Sequence, residues 1–424
     1  MNAITDTYDS IIIGGGPAGA TTATLLADYG HKTLVLERAR FPRRHVGESL
    51  MPQTYWSFKR LGLLEKMKAS SFVRKESVQF VAPTGHESAP FYFTERDPNE
   101  WSVTWQVRRD EFDTLMLENA REHGADIANS AHVREVLFDG DRAIGVRADI
   151  DGKQTTIHAR VIVDATGQSA LLARQLDARV PDERLRNASI YAHYRGGALD
   201  SGRNAGATTI LHTPNRNGWF WYIPLRNEDG LVSVGVVGPP SVLCSGRGDD
   251  PAETLDEEIE NCPAVRQRLA NAERVGRVYT TADFSYRARR VAGNGWILVG
   301  DAFAFLDPIY SSGIMLALKS GEFAADTIHN ALVDNDLSAG RLGSFGPRLV
   351  AGMQNIRRLV YAFYNKNFSI GRFAREHPQY KDHLVRILIG DIFNDEVAEV
   401  FSAMPDIMAP VNPIELKTED IKVH

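Results

Sequence analysis

The feature that most limits how this chain can fold lies at its start. Residues 10–13, Ser-Ile-Ile-Ile, make an apolar strand pattern that runs into Gly14-Gly15-Gly16-Pro17-Ala18-Gly19 and then into a helical run over 20–29. Each small residue answers a steric demand: Gly14 makes the tight turn, Gly16 lets the backbone approach a pyrophosphate, and Gly19 lets the helix pack close to the strand. With Pro17 and Ala18 they bring the phosphates to the helix N-terminus and its free N–H groups. A second apolar strand, 33–36, ends in Glu37, 23 residues beyond Gly14, where a carboxylate can hold a ribose hydroxyl pair. Strand, turn, helix, strand and acid in this order make a dinucleotide-binding unit of a parallel α/β sheet. The bland alternative is a glycine-rich helix start without a ligand.

Size and composition bound the rest. The 424 residues allow a large core and two or three structural units. A formal net charge of −6 gives no broad basic footprint, so nucleic acid is not expected as a partner. The N-terminal tail, 1–8, is short and polar and carries no secretory signal, and no apolar run is long enough to span a bilayer. A cytoplasmic protein without membrane contact is therefore expected. Cys244 and Cys262 are too few for a disulfide framework or a thiol metal site and read as reduced and structural; no metal is expected.

After Glu37 comes a basic loop that includes Arg43, a cofactor contact or solvated surface, then Gly47-Glu48-Ser49 and a periodic helix over 52–68. Residues 72–80 alternate as one strand, and 78–103 is aromatic and acidic without helical periodicity. A helix follows to about His123, then a meander of three strands over 133–138, 143–150 and 155–163, ending in Asp164-Ala165-Thr166-Gly167. From 187 the texture turns to antiparallel strands, over 188–194, 207–212, 219–224 and 231–237, with an acidic helix over 251–270. Apolar strand plus glycine returns at 296–302, a long helix runs to about Asn335, and 342–408 is helical with an apolar face.

Four motifs now agree in type and order: Gly14-Gly15-Gly16-Pro17-Ala18-Gly19, Arg109 to Asp113 as R-x-x-F-D, Asp164-Ala165-Thr166-Gly167, and Gly300-Asp301-Ala302. Over 8–335 the chain resembles the FAD-dependent monooxygenase superfamily of the p-hydroxybenzoate hydroxylase type. The resemblance implies a mixed α/β fold: a Rossmann-type FAD-binding domain (1–75, 103–180 and 272–340), an inserted antiparallel β-sheet substrate domain (76–102 and 181–271), a helical C-terminal region (341–410) and a polar tail (411–424). It puts FAD across the first turn with Glu37 on the ribose, Arg109 near the pyrophosphate, Asp301 on the ribityl chain and Ile314 against the flavin.

Three further features resemble flavin-dependent halogenases of the phenol and pyrrole branch. Trp219-Phe220-Trp221-Tyr222-Ile223-Pro224 matches W-x-W-x-I-P, and its period of two puts both indoles on one strand face. In that family the pair walls substrate off from flavin; by itself it is equally a pair of core aromatics, and geranylgeranyl reductases carry a related strand. Lys75, 27 residues after Glu48, matches the lysine that delivers electrophilic halogen, although most lysines are surface charges. Ser311-Ser312-Gly313 opens the last long helix; its N–H groups form an anion site, with Ser312 and Gly313 on chloride or bromide, or else an ordinary serine cap. Tyr310 stands where tryptophan halogenases carry glutamate, which favours electron-rich phenols or pyrroles. The implied reaction uses reduced FAD from a separate reductase, O2 and a halide to halogenate a small aromatic, free or tethered to a carrier protein, through hypohalous acid and Lys75. A reductase or hydroxylase on the same fold, and a flavin-binding redox sensor, are the competing readings.

Overall fold

The structure, a computed structural model, describes residues 7–282 and 284–404. The tail 411–424, the last residues of the helical region and most of the N-terminal tail lie outside the described residues.

Two large sheets, of eight and seven strands, two small ones, of three and two, and a helical cap make up the described residues. In the first sheet the strands run in the order Ala292–Gly293, Trp296–Leu298, Lys153–Asp164, Thr7–Ile13, Thr33–Glu37, Asp126–Asn129. The four central pairings beyond the short Ala292–Gly293 edge are parallel, and their register sets Ile13 opposite both Asp164 and Leu36, with Asp164 opposite Leu298. All these strands therefore end at one edge, the place where open α/β sheets bind ligands. The three-strand meander is present as Ala131–Asp139, Arg142–Ile150 and Lys153–Asp164, and its last strand continues into the parallel sheet.

The second sheet has seven strands in the order Glu273–Ala282, Ala188–Arg195, Leu231–Gly238, Trp219–Arg226, Thr208–His212, Ser77–Val81, Phe91–Tyr92. All its pairings are antiparallel except that of Ser77–Val81 with Thr208–His212. Alternation along Trp219–Arg226 divides the strand between two cores. Trp219, Trp221 and Ile223 join the main core, whereas Phe220 and Tyr222 pack with Leu255, Ile259 and Val265 of the helices beyond.

Several expected elements are divided, each for a local reason. The strand expected over 72–80 is two strands, Val73–Lys75 and Ser77–Val81, in different sheets; the first pairs with Thr104–Gln106. The helix over 52–68 is Thr54–Arg60 and Leu64–Ala69, split where Gly62 takes φ +69°. The acidic helix over 251–270 is Pro251–Glu260 and Pro263–Arg268, because Pro263 lacks the N–H that would continue the first. The boundary at 272 needs correction: Glu273–Ala282 is the edge strand of the second sheet, held against Ala188–Arg195, and the first sheet resumes only at Ala292. The C-terminal region breaks into Gly346–Tyr364, Ile370–Glu376, Lys381–Ile389 and the 3-10 turn Asp395–Ala403. Both cysteines are free; Cys262 is buried but Cys244 is exposed, so only the first packs as a core residue.

Candidate active site

A cavity of about 530 Å³ runs along the shared strand edge. Its wall includes Gly14, Gly16, Pro17, Ala18, Glu37, Arg109, Asp301, Ser312, Gly313, Ile314, Trp219 and Trp221, so twelve residues singled out from sequence meet around one space. Gly19 and Lys75 are not part of the wall.

The glycine turn is built for close approach. Gly14 has φ +105°, and a Cβ there would lie 2.5 Å from the Ala165 carbonyl oxygen. A Cβ at Gly19 would lie 2.0 Å from the Gly14 carbonyl oxygen, so its task is to let helix Pro17–Asp28 meet the strand. Gly16 is different: the sole atom near its missing side chain is a guanidinium nitrogen of Arg43, 3.3 Å away. No side chain caps this helix and its first turn has no acid, which leaves its N–H groups for an anion. Beside it, Arg43 Nη1 is buried, makes no hydrogen bond and lies 3.1 Å from Asp113, while Arg44, also in the cavity wall, packs over the Tyr279 ring with a buried Nη2 that has no acceptor. A guanidinium beside an open helix end fits a pyrophosphate. The Glu37 carboxylate accepts from the Gly15 and Ala39 N–H groups, each at 2.8 Å, and so holds the turn in shape. Arg109 is buried, bidentate to Asp113 at 2.7 and 2.9 Å, and donates to the Val46 carbonyl.

Asp301 is half-buried, its free surface turned to the cavity, and desolvation pushes its carboxyl up to about 7 against the opposing pull of Arg109. At the far end of the cavity the helix Ser312–Val333 begins. Ser311 takes φ +57° and its side chain caps nothing, so the ordinary serine cap is not formed. A Cβ at Gly313 would meet no atom within 4 Å, and Ser312 is buried. Bare N–H groups thus face the cavity at the positive end of a 22-residue helix.

The two indoles stand 6.3 Å apart, both buried. Trp219 Nε1 donates to Tyr364 Oη at 3.0 Å, and Tyr364 donates to Asp307 at 2.9 Å. Burial pushes the Asp307 carboxyl up to about 7 despite further bonds from the Ile309 N–H and Asn187. Phe363 packs edge-on against Trp219 and Tyr310, so helix Gly346–Tyr364 backs the wall. Lys75 lies behind the cavity, 2% exposed. Its ammonium donates to Ser49 Oγ at 2.8 Å and to the Leu50 carbonyl at 3.0 Å, and lies 5.5 Å from the centre of the Phe93 ring. Desolvation alone lowers its pKa to about 7. Sequence reasoning missed Ser49, Thr208, Asp307 and Tyr364; the Gly-Glu-Ser and Leu-Asp-Pro segments were the available signals. Among the described residues no acidic, His or Cys cluster could hold a metal, and no helix is long and apolar enough to cross a membrane.

A strand-edge cavity with an open helix end and guanidinium groups in its wall fits a dinucleotide, and the family model described as "FAD binding domain" matches residues 7–322, which makes the chain an FAD-binding flavoprotein. The pyrrole-2-carbonyl-[peptidyl-carrier protein] chlorinase of Pseudomonas fluorescens is 31% identical over 95% of this chain and 94% of its own. The corresponding brominase of Pseudoalteromonas luteoviolacea is 33% identical over 92% and 93%. Among solved structures, the flavin-dependent brominase Bmp2 superposes with TM-score 0.84 at 31% identity, covering 94% of this chain and 98% of that one. The myxobacterial chondrochloren halogenase superposes with TM-score 0.77 at 30% identity, covering 97% and 99%. The chain belongs to the flavin-dependent halogenases. It is an FAD-dependent enzyme that uses a halide.

Proposed function

We propose that this halogenase acts on an electron-rich ring, a phenol or pyrrole, and that a pyrrole carried on a peptidyl-carrier protein is the favoured form. Two relatives that span nearly the whole chain act on such a substrate. The observation that carries the catalytic reading is Lys75, a fully buried amine with no counter-charge, close behind the cavity wall. Reduced FAD, brought by a separate reductase, would supply with O2 the two-electron oxidant that converts halide into hypohalous acid.

This chain's residues do the rest. Gly14, Gly16, Pro17, Ala18 and Gly19 form the pyrophosphate cradle, with Arg43 and Arg109 beside it. Glu37 takes the adenosine ribose, Asp301 the ribityl chain and Ile314 the ring. Ser312 and Gly313 hold the halide with backbone N–H groups, which need no side-chain charge. Trp219 and Trp221 bar the aromatic substrate from the flavin, so that only a small oxidant passes. A lysine whose pKa falls to about 7 is partly neutral near neutral pH, and can donate to hypohalous acid or bind its halogen on nitrogen. With Tyr310 rather than an acid ahead of the serine pair, the ring itself must be reactive. Division into an FAD-binding unit, a substrate sheet and a C-terminal cap follows the same proposal.

The test supplies a flavin reductase, NADH, O2 and bromide or chloride to the enzyme with pyrrolecarbonyl-carrier protein, free pyrroles and phenols. Halogenated carrier-bound pyrrole detected by mass spectrometry is expected. Halogenation of free phenols alone would reject the carrier, and purely hydroxylated or hydrogenated products would reject the mechanism.

A further inference from the structure

Between Lys75 and the cavity stand two hydroxyls. Ser49 and Thr208 are both in the cavity wall, their oxygens 2.8 Å apart, and Lys75 meets the cavity only through Ser49. The Gln106 amide nitrogen can only donate, and does so to Thr208 Oγ1 at 2.8 Å, and Lys75 in its charged form donates to Ser49 Oγ at 2.8 Å. With Lys75 charged, one hydroxyl donates to the other and the proton of the second has no acceptor in the cluster. That unused hydroxyl proton, on a residue of the cavity wall, suits a small guest whose oxygen accepts a hydrogen bond. Water has that chemistry, and so does hypohalous acid, H–O–X.

We propose that the Ser49–Thr208 hydroxyl pair receives hypohalous acid at the cavity wall, displacing water, and that Ser49 positions the Lys75 amine directly behind it. The inference rests on the role given to Lys75 above. Carbonyl oxygen at Leu50 and the Phe93 ring fix the remaining directions around the amine, so Ser49 is the one side chain that links it to the cavity. Charged neighbours turn away: Glu48 pairs with His193 at 2.7 Å, Glu76 with Arg203 at 2.9 Å, and Arg74 is exposed over the Trp105 ring. Neutral groups, the Ser49 hydroxyl and the Leu50 carbonyl, are therefore the polar partners that remain beside the amine.

Two measurements test this on Ser49→Ala, Ser49→Thr, Thr208→Val and Lys75→Ala beside the wild type. In turnover, halogenated product per O2 consumed is read together with halogenation of a β-diketone trap in free solution. We expect product per O2 to fall about tenfold in Ser49→Ala and Thr208→Val, with the loss reappearing in the trap as escaped hypohalous acid, and Ser49→Thr to recover most of it. In the flavin-free protein, the pH dependence of Lys75 acetylation is followed by mass spectrometry. Ser49 accepts from the charged amine, so Ser49→Ala should move the labelling curve about one pH unit lower. Wild-type product yield and trap signal in both hydroxyl variants, with Lys75→Ala inactive, would overturn this inference alone. Full halogenation by Lys75→Ala would overturn the lysine reading beneath it. An unmoved labelling curve would overturn the positioning role of Ser49.

Discussion

Lys75 illustrates what burial does to one group. A free lysine is charged at neutral pH; here desolvation with no compensating carboxylate lowers the pKa to about 7, while the unfolded chain keeps the ordinary value of 10.5. Between these values the unfolded state holds one more proton than the folded state, so stability rises with pH across that window and is lost as pH falls toward 7. The slope of a single proton is about 1.4 kcal/mol per pH unit. Urea unfolding of the wild type and Lys75→Met at pH values from 7 to 10 should therefore differ by that slope, steeper in the wild type. Parallel curves would show that Lys75 stays charged in the folded protein. The strand break after Lys75 makes this environment: with Glu76 turned outward to Arg203, Lys75 pairs with Thr104 in a separate ribbon and is covered by Phe93.

At the scale of elements, the strand Trp219–Arg226 depends on its neighbours for the shape of its wall. Trp221 lies over Gly235 of the adjacent strand, where a Cβ would come within 2.3 Å of the indole and 2.5 Å of Tyr191 Cβ. Both contacts are below any van der Waals distance, so Gly235→Ala must displace the ring. We expect a loss of about 1–3 kcal/mol by denaturant titration, and a lower halogenated yield per O2 as the wall opens. A variant with wild-type stability and yield would show that the indole position is not constrained from this side. Trp219 is held differently, by the chain through Tyr364 to Asp307, so its orientation belongs as much to the C-terminal helix as to its own strand.

For the molecule as a whole, the C-terminal helices tie the two ends of the site together. Helix Gly346–Tyr364 backs the indoles, while Val385 and Ile389 of helix Lys381–Ile389 pack with Phe93, the ring over Lys75. The first of these helices is anchored by Asp182, which accepts from Arg357 at 2.9 Å and from Tyr361 at 2.7 Å. Asp182→Ala should raise hydrogen exchange in residues 346–364 and lower product yield together, with residues 10–37 unchanged. Unchanged exchange in the helix would show that apolar packing alone holds it.

What the sequence determined by itself is local and periodic. The glycine turn, the acid after the second strand, the period-two indoles and the serine-glycine helix start are each written within a few residues, because their geometry follows from backbone conformation and strand or helix period. Tertiary structure alone decided which polar groups meet across long separations. Ser49 finds Thr208, Trp219 finds Tyr364, and Tyr364 finds Asp307, partners chosen by how sheets and helices pack and not by spacing in the chain. It also decided that Lys75 stands behind the cavity wall and not in it, since a lysine's burial depends on what covers it. The dinucleotide turn was legible from its first residues; the path from that turn to the lysine exists only in the folded protein.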